Sequence, residues 1–111
     1  MESDDAVVAL SALAHPGRLA IFRLLVKAGK NGLPAGEIAH QTGSKANTLS
    51  SNLAILVHAG LAASRRDGRS IIYTADFEAM GGLLSFLMED CCAGEPAICG
   101  PAVERARRAC G

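Results

Sequence analysis

The chain has 111 residues and a mass of 11.4 kDa, which suits one domain and is too short for two. Half of it is apolar, which excludes wholesale disorder, and a chain this long buries roughly 65% of the surface its unfolded form exposes. Eleven cations balance eleven anions, so no global charge marks it as a polyanion binder.

The balance is uneven along the chain. Residues 1–14 carry Glu2, Asp4 and Asp5. Residues 15–75 carry eight cations (Arg18, Arg23, Lys27, Lys30, Lys45, Arg65, Arg66, Arg69) against Glu37 and Asp67. Residues 76–111 carry six anions against three arginines. A basic middle between acidic ends is compatible with a local polyanion contact. No apolar run exceeds the length of Leu53 to Val57, which is far short of the ~20 residues that span a bilayer. The acidic N-terminus lacks the basic-then-apolar pattern of a secretory signal. The expectation is a cytoplasmic protein with no membrane partner, its four cysteines reduced rather than paired.

In chain order, Ser3-Asp4-Asp5 predicts a helix start with a capping serine and an acidic first turn. Val7, Leu10, Leu13 and Ala14 recur on one face of that helix. Pro16 suits the first turn of a second helix, with Leu19, Phe22, Leu25 and Val26 as its buried stripe and Gly29 as its end. Asn31-Gly32 marks a turn. A short helix follows over about Ala35 to Gln41 with Ile38 inward, closed by Thr42-Gly43. Ser44 then caps a helix running to about His58 and ending at Gly60.

The period next changes to alternation. Leu61 to Arg65 and Ser70 to Ala75 read as two strands around Arg66-Asp67-Gly68-Arg69, and Asp-Gly is a strong hairpin signal. Asp76 restarts a helix with Phe77, Met80, Leu83, Leu84, Leu87 and Met88, ended by Gly94 and Pro96. The tail adds a short basic helical turn over Val103 to Ala109. The fold class is mainly α (α+β). It is a winged helix-turn-helix of four helices and a two-stranded wing, followed by a C-terminal dimerisation helix. Residues 1–92 form the DNA-binding and dimerisation domain and residues 93–111 a cysteine-containing tail.

In the helix after Ser44, Leu49, Leu53 and Leu56 point inward. Asn47, Thr48, Ser51, Ala54, Ile55 and His58 then point away, and the N-terminal half of that face is small and polar. Asn bonds adenine bidentately, and Ser and Thr bond bases or phosphates. Small side chains let a helix sit deep in a major groove. Ser44 and Lys45 lie at the helix N-terminus, where free N–H groups and the dipole favour phosphate. Arg65, Arg66 and Arg69 add phosphate or minor-groove contacts from the hairpin. Read alone, these are an exposed helix face and a solvated hairpin tip; together they make a DNA-reading surface.

The segments Leu13-Ala14-His15-Pro16-Gly17-Arg18-Leu19-Ala20-Ile21, Glu37-Ile38-Ala39, Ser44 to Leu56, Ala59-Gly60-Leu61 and Arg65-Arg66-Asp67-Gly68-Arg69-Ser70-Ile71-Ile72-Tyr73 resemble the ArsR family of winged-helix repressors over about residues 6–90. The resemblance implies a homodimer that binds double-stranded operator DNA and leaves it when an inducer binds. Asn52 stands where many members carry His. The last helix supports the dimer on its own residues. It is apolar nearly all round, with Met80, Leu84 and Leu87 in one stripe and Phe77 and Met88 beside it, so it needs a partner outside its own core. Gly81-Gly82 mid-helix costs about 1 kcal/mol per residue relative to Ala, which close approach by a partner helix justifies; the alternative is a kink.

All four cysteines, Cys91, Cys92, Cys99 and Cys110, fall in the last 21 positions, and such clustering suggests a soft-ion or redox site. Adjacent cysteines on a helix diverge by about 100°, but they converge where the helix frays. Gly94 and Pro96 supply that fraying and a turn that brings Cys99 back. His15, His40 and His58 all lie upstream, so a His/carboxylate zinc site on the last helix is disfavoured. The spacing is also unlike zinc's paired cysteines.

As(III) or Sb(III) takes three sulfurs in a pyramid. Arsenite is neutral, its hydroxyls leave as water, and no cationic pocket is needed, which fits the neighbouring Glu89, Asp90 and Glu95. The Cys-x-Cys of the common arsenic type is absent from the short helix, which reads Glu37-Ile38-Ala39-His40-Gln41. A vicinal pair plus a third cysteine resembles the arsenite-sensing variant of the family instead. The expected metal ligands are Cys91, Cys92 and Cys99, with Cys110 the weakest candidate. The alternatives are another thiophilic ion such as Cd(II), Pb(II) or Zn(II), or sensing of thiol oxidation or persulfide. A thiol enzyme is disfavoured, because no Cys-x-x-Cys or nearby His activates Cys91 or Cys92.

Overall fold

A computed structural model describes residues 1–89 and 96–110 of the chain. Helix α1 (Ser3–Leu13) is capped by Glu2, not Ser3. The Asp5 carboxylate accepts from the Glu2 N–H at 3.1 Å, a reciprocal cap in which the acid sits three residues inside the helix. The buried face of α1 also differs from expectation. Ala6, Ala9 and Ala12 are buried, whereas Val7 and Leu10 are 58% and 42% exposed. Alanine lets the helix axis lie close to α2 and α4, and the larger side chains are turned outward.

Helix α2 (Pro16–Ala28) opens as expected, with Pro16 in its first turn, and is terminated by Gly29. Its N-cap is His15, whose Nδ1 accepts from the Gly17 and Arg18 N–H groups at 3.1 and 3.3 Å. Ile21, Phe22 and Leu25 are buried, but Leu19 is 43% exposed. A 3₁₀ turn (Gly29–Asn31) leads into a two-residue strand, β1 (Leu33–Pro34), which sequence periodicity does not predict. Helix α3 (Ala35–Thr42) buries Ile38. Gly43 closes it in the left-handed conformation at φ 68°, which only glycine adopts without strain.

Helix α4 (Ala46–His58) buries Leu49, Leu53 and Leu56 on one stripe, as expected, together with Asn52. Its N-cap is Lys45, with no side-chain cap. Ser44 does not cap it, because its hydroxyl is bonded to the Thr42 hydroxyl at 2.7 Å. That Thr42 oxygen in turn donates to the Ile38 carbonyl. The turn thus holds its own serine.

Strands β2 (Ala62–Asp67) and β3 (Ser70–Ala75) form the hairpin. β2 runs two residues further than expected, so Asp67 pairs with Ser70 and the loop is Gly68-Arg69. Gly68 supplies the positive φ of 63°. The sheet is antiparallel in the order β1-β3-β2, so the wing has three strands rather than two. Helix α5 (Phe77–Met88), capped by the Asp76 carboxylate on the Ala79 N–H at 3.0 Å, runs unbroken through Gly81-Gly82. It ends at Met88, earlier than the Gly94-Pro96 boundary. Helix α6 (Pro96–Cys110) replaces the expected short turn with 15 helical residues, Pro101 among them.

The core gathers where α2, α3 and α4 meet the root of the wing. Ile21, Leu25, Ile38, Leu53, Leu56 and Leu61 are its fully buried large side chains, each worth about 2 kcal/mol of burial. α1 and Leu83 of α5 close it from the other side. Among the described residues no single helix is long and apolar enough to cross a membrane.

Candidate nucleic-acid interface and sulfur site

The α3–turn–α4 unit is held rigid from below and left open on top. The three leucines of α4 are anchored in the core, so its opposite face is fixed in space. On that face Asn47, Thr48, Ser51, Ala54, Ile55 and His58 are exposed, as is Lys45 at the N-cap, while Ser44 is half-buried in the turn. The Asn47 carboxamide oxygen accepts from the Thr48 N–H at 2.9 Å. Lys45 supplies no side-chain cap, so while Asn47 holds the Thr48 N–H, those of Ala46 and Asn47 are left for a phosphate oxygen. Lys45, Asn47, Thr48 and Ser51 therefore make one contiguous polar surface over the first two turns.

Asn52 belongs to the opposite side. It is 6% exposed, and its amide nitrogen lies 3.2 Å from where a Cβ on Gly17 would stand. Its place is against the start of α2, beneath the reading surface rather than on it.

The wing's three arginines are not equivalent. Cross-strand partners share a face of a hairpin. Arg65 is paired with Ile72, which is 9% exposed, and Arg66 with Ile71, which is 42% exposed. Arg65 thus lies on the inner face. It reaches across β3, and its Nη2 donates to the Asn31 carbonyl at 2.9 Å. Arg66 is on the outer face and Arg69 in the loop, both exposed. Of the eight residues expected at the DNA surface, seven are exposed (Lys45, Asn47, Thr48, Ser51, Arg65, Arg66, Arg69) and Ser44 is half-buried, and Ser44 and Arg65 each already hold a hydrogen bond within the protein. The register of β2 carries the distinction between Arg65 and Arg66, and alternation in the sequence was the available sign of it.

Cys91 and Cys92 lie outside the described residues, as does the boundary between residues 92 and 93. Cys99 and Cys110 are both residues of α6. Their backbones are three turns apart, about 16 Å along the axis, so one ion takes at most one of them. Among the described residues no three His, Cys, Asp or Glu side chains converge as metal ligands.

Comparison with known proteins agrees with this geometry. The helix-turn-helix domain family matches residues 13–65. The HTH-type transcriptional regulator YgaV of Escherichia coli (strain K12) is 34% identical over 90 residues, covering 81% of this chain and 89% of that protein. HlyU from Vibrio cholerae superposes with a TM-score of 0.62 at 34% identity, over 78% of this chain and 97% of HlyU. The reduced form of HlyU gives 0.62 at 31% identity, over 81% and 92% of the two chains. The homodimeric winged helix-turn-helix DNA-binding domain of Mb0332 from Mycobacterium bovis, described as a "possible ArsR-family transcriptional regulator", gives 0.62 at 29% identity over 78% and 81%. The chain belongs to the family of winged helix-turn-helix transcriptional regulators, with ArsR-like proteins among its structural neighbours.

Proposed function

We propose that the chain is a homodimeric, cytoplasmic repressor of a metalloid-resistance operon. Lys45, Asn47, Thr48 and Ser51 meet the major groove of operator DNA, Arg66 and Arg69 meet the flanking backbone, and Ser44 and Arg65 brace the turn and the wing that carry them. The observation that carries the DNA half is the small, polar, exposed surface over the uncapped start of α4, held on a buried leucine stripe. Two such surfaces in a dimer reach half-sites about one helical turn apart. The outward apolar stripe of α5 and the homodimeric state of Mb0332 support the dimer.

The sensing half rests on the thiols. As(III) or Sb(III) bound by Cys91, Cys92 and Cys99 draws the start of α6 toward the end of α5. Because α5 carries the dimer stripe, the two reading helices change spacing and the operator is released. A tenfold loss of DNA affinity requires a coupling of about 1.4 kcal/mol between the two sites. Gel-shift titration tests both halves. Arsenite is expected to release operator DNA from the wild type and not from the Cys91→Ser/Cys92→Ser/Cys99→Ser variant. Equal release from both overturns the sulfur assignment, and absence of DNA binding at every salt concentration overturns the whole reading.

A second reading has one specific observation behind it: a reduced form of HlyU is among the similar structures. On that reading the same thiols sense oxidation or persulfide. Peroxide or polysulfide then releases the DNA, a dithiol reductant restores binding, and arsenite has little effect.

A further inference from the structure

His15 stands at the joint between α1 and α2 and caps α2 with a ring nitrogen. Its Nδ1 accepts from the Gly17 and Arg18 N–H groups at 3.1 and 3.3 Å. An imidazole accepts at Nδ1 only when that nitrogen carries no proton, so the ring is neutral with its hydrogen on Nε2. A serine or asparagine in the same place would cap at any pH. The start of α2 thus depends on the protonation state of one side chain.

Three helices meet at that turn. From α4, the amide nitrogen of buried Asn52 lies 3.2 Å from where a Cβ on Gly17 would stand, and His15 Cε1 lies 3.1 Å from the same point. Gly17 therefore seats both side chains. From α1, the Ala12 carbonyl accepts from Arg18 Nε at 2.6 Å. The groups around His15 offer an added proton no anion. Asn52 is uncharged, and Arg18 is a cation of the same turn. On α4, Lys45 and His58 are each about 10 Å along the axis from Asn52. On α1, the carboxylates are Glu2 at the cap and Asp4 and Asp5 in the first turn, with about 12 Å of helix between Asp5 and Leu13. Among the described residues the ion pairs are those of Glu104 with Arg107 and Arg108. An imidazolium would also face the positive end of the α2 dipole. Protonation removes two accepted hydrogen bonds and supplies nothing in return. The opened turn takes up the proton more readily than the closed one, so the cap holds at neutral pH and is lost as pH falls.

We propose that His15 is an acid-sensitive latch on the reading helix: proton uptake at Nδ1 opens the first turn of α2, takes away the seat of Asn52 and weakens operator binding without the cysteines. Asn52 lies on α4 directly after Ser51 and one turn beyond Thr48, so a change in its seat moves the polar surface that meets DNA. The latch itself is a property of the fold; its effect on DNA rests on the operator-binding reading above.

The test follows the Gly17 and Arg18 amide protons of the full chain by NMR between about pH 8 and about pH 5, the window in which an imidazole changes charge. Operator affinity is measured by fluorescence anisotropy over the same window at fixed salt. Both amides are expected to move together with the His15 ring signals as the ring takes up its proton. His15→Asn keeps a capping oxygen and does not titrate. Against that variant, the wild type should bind operator equally well at the upper pH and about fivefold more weakly at the lower, the worth of one N-cap. His40 and His58 are present in both chains and cancel from the comparison. His15→Ala, with no cap at either pH, should bind more weakly throughout. Two results would overturn the proposal. One is Gly17 and Arg18 amides that do not follow the ring. The other is an affinity ratio of wild type to His15→Asn that stays constant with pH or favours the wild type in acid. If neither chain binds operator at any pH, the operator-binding reading falls, and the amide titration alone decides the latch.

Discussion

At the scale of single residues, the wing separates charge from contact. Arg65, Arg66 and Arg69 are close in sequence and alike in chemistry, yet the register assigns them different tasks. Arg65 shares its face with buried Ile72 and donates to Asn31, so it ties the wing to the turn before β1. Arg66 and Arg69 are exposed, as Arg65 is, but without that tie. Each phosphate neutralised by a cation contributes about one unit to the slope of log affinity against log salt. Arg66→Ala and Arg69→Ala are therefore expected to flatten that slope by about 1 each. Arg65→Ala should lower affinity by a similar factor at every salt concentration, with the slope kept, because it loosens the wing without removing a phosphate contact. Fluorescence anisotropy across a salt series distinguishes the two, and a flattened slope for Arg65→Ala would place it on the DNA after all. Ser44 follows the same logic: a serine before a helix is read as a cap, but its hydroxyl is already engaged by Thr42.

At the scale of elements, the two-residue strand β1 depends on one glycine. Gly32 has φ 69° and ψ −166°, a region closed to residues with a Cβ. A Cβ there would also overlap the Tyr73 carbonyl and lie 2.6 Å from the Thr74 methyl. Gly43 also has a positive φ, but a Cβ there meets nothing within 4 Å. Gly32→Ala is thus expected to cost at least about 2 kcal/mol, and Gly43→Ala only about 1 kcal/mol. Urea midpoints of the two variants measure this, and equal losses would mean that β1 contributes nothing to the wing. The same glycine marks how far the sequence could be read. Asn31-Gly32 announces a turn, but two residues are too few to show alternation, so the strand behind it is silent. The stripe of α4 was legible because its leucines face a polar side. The stripe of α1 was not, because after its acidic first turn every residue of that helix except Ser11 is apolar. Periodicity then leaves the direction open, and close packing chooses Ala6, Ala9 and Ala12 over Val7 and Leu10. For the site, residue type and helical phase were enough to place Lys45, Asn47, Thr48 and Ser51 on one surface. The separation of Arg65 from Arg66 needed the strand register, which the sequence leaves a residue or two uncertain.

At the scale of the molecule, the single chain leaves apolar surface that a soluble monomer has no use for. Phe77, Leu84 and Leu87 on α5 are 37%, 50% and 51% exposed, and Val7 and Leu10 on α1 are 58% and 42% exposed. Gly81, between Phe77 and Leu84, has nothing within 4 Å of where a Cβ would stand, so a second helix is free to approach the backbone there. Leu83, one residue away, is 5% exposed and belongs to the core. Outward leucines are therefore separable from inward ones. Leu84→Glu with Leu87→Glu should leave the fold of one chain intact, because neither side chain is buried in it, and should abolish pairing between chains. Sedimentation is expected to show a monomer with an unchanged helical spectrum. One reading helix and one wing would then contact the operator alone, and losing the second linked module lowers affinity by about 100-fold or more. A variant that still sediments as a dimer would move the subunit contact off α5. A monomer that binds the operator as tightly as the wild type would show that one half-site suffices. In that case arsenite could not act by changing the spacing of two reading heads, and release would have to come from within a single chain.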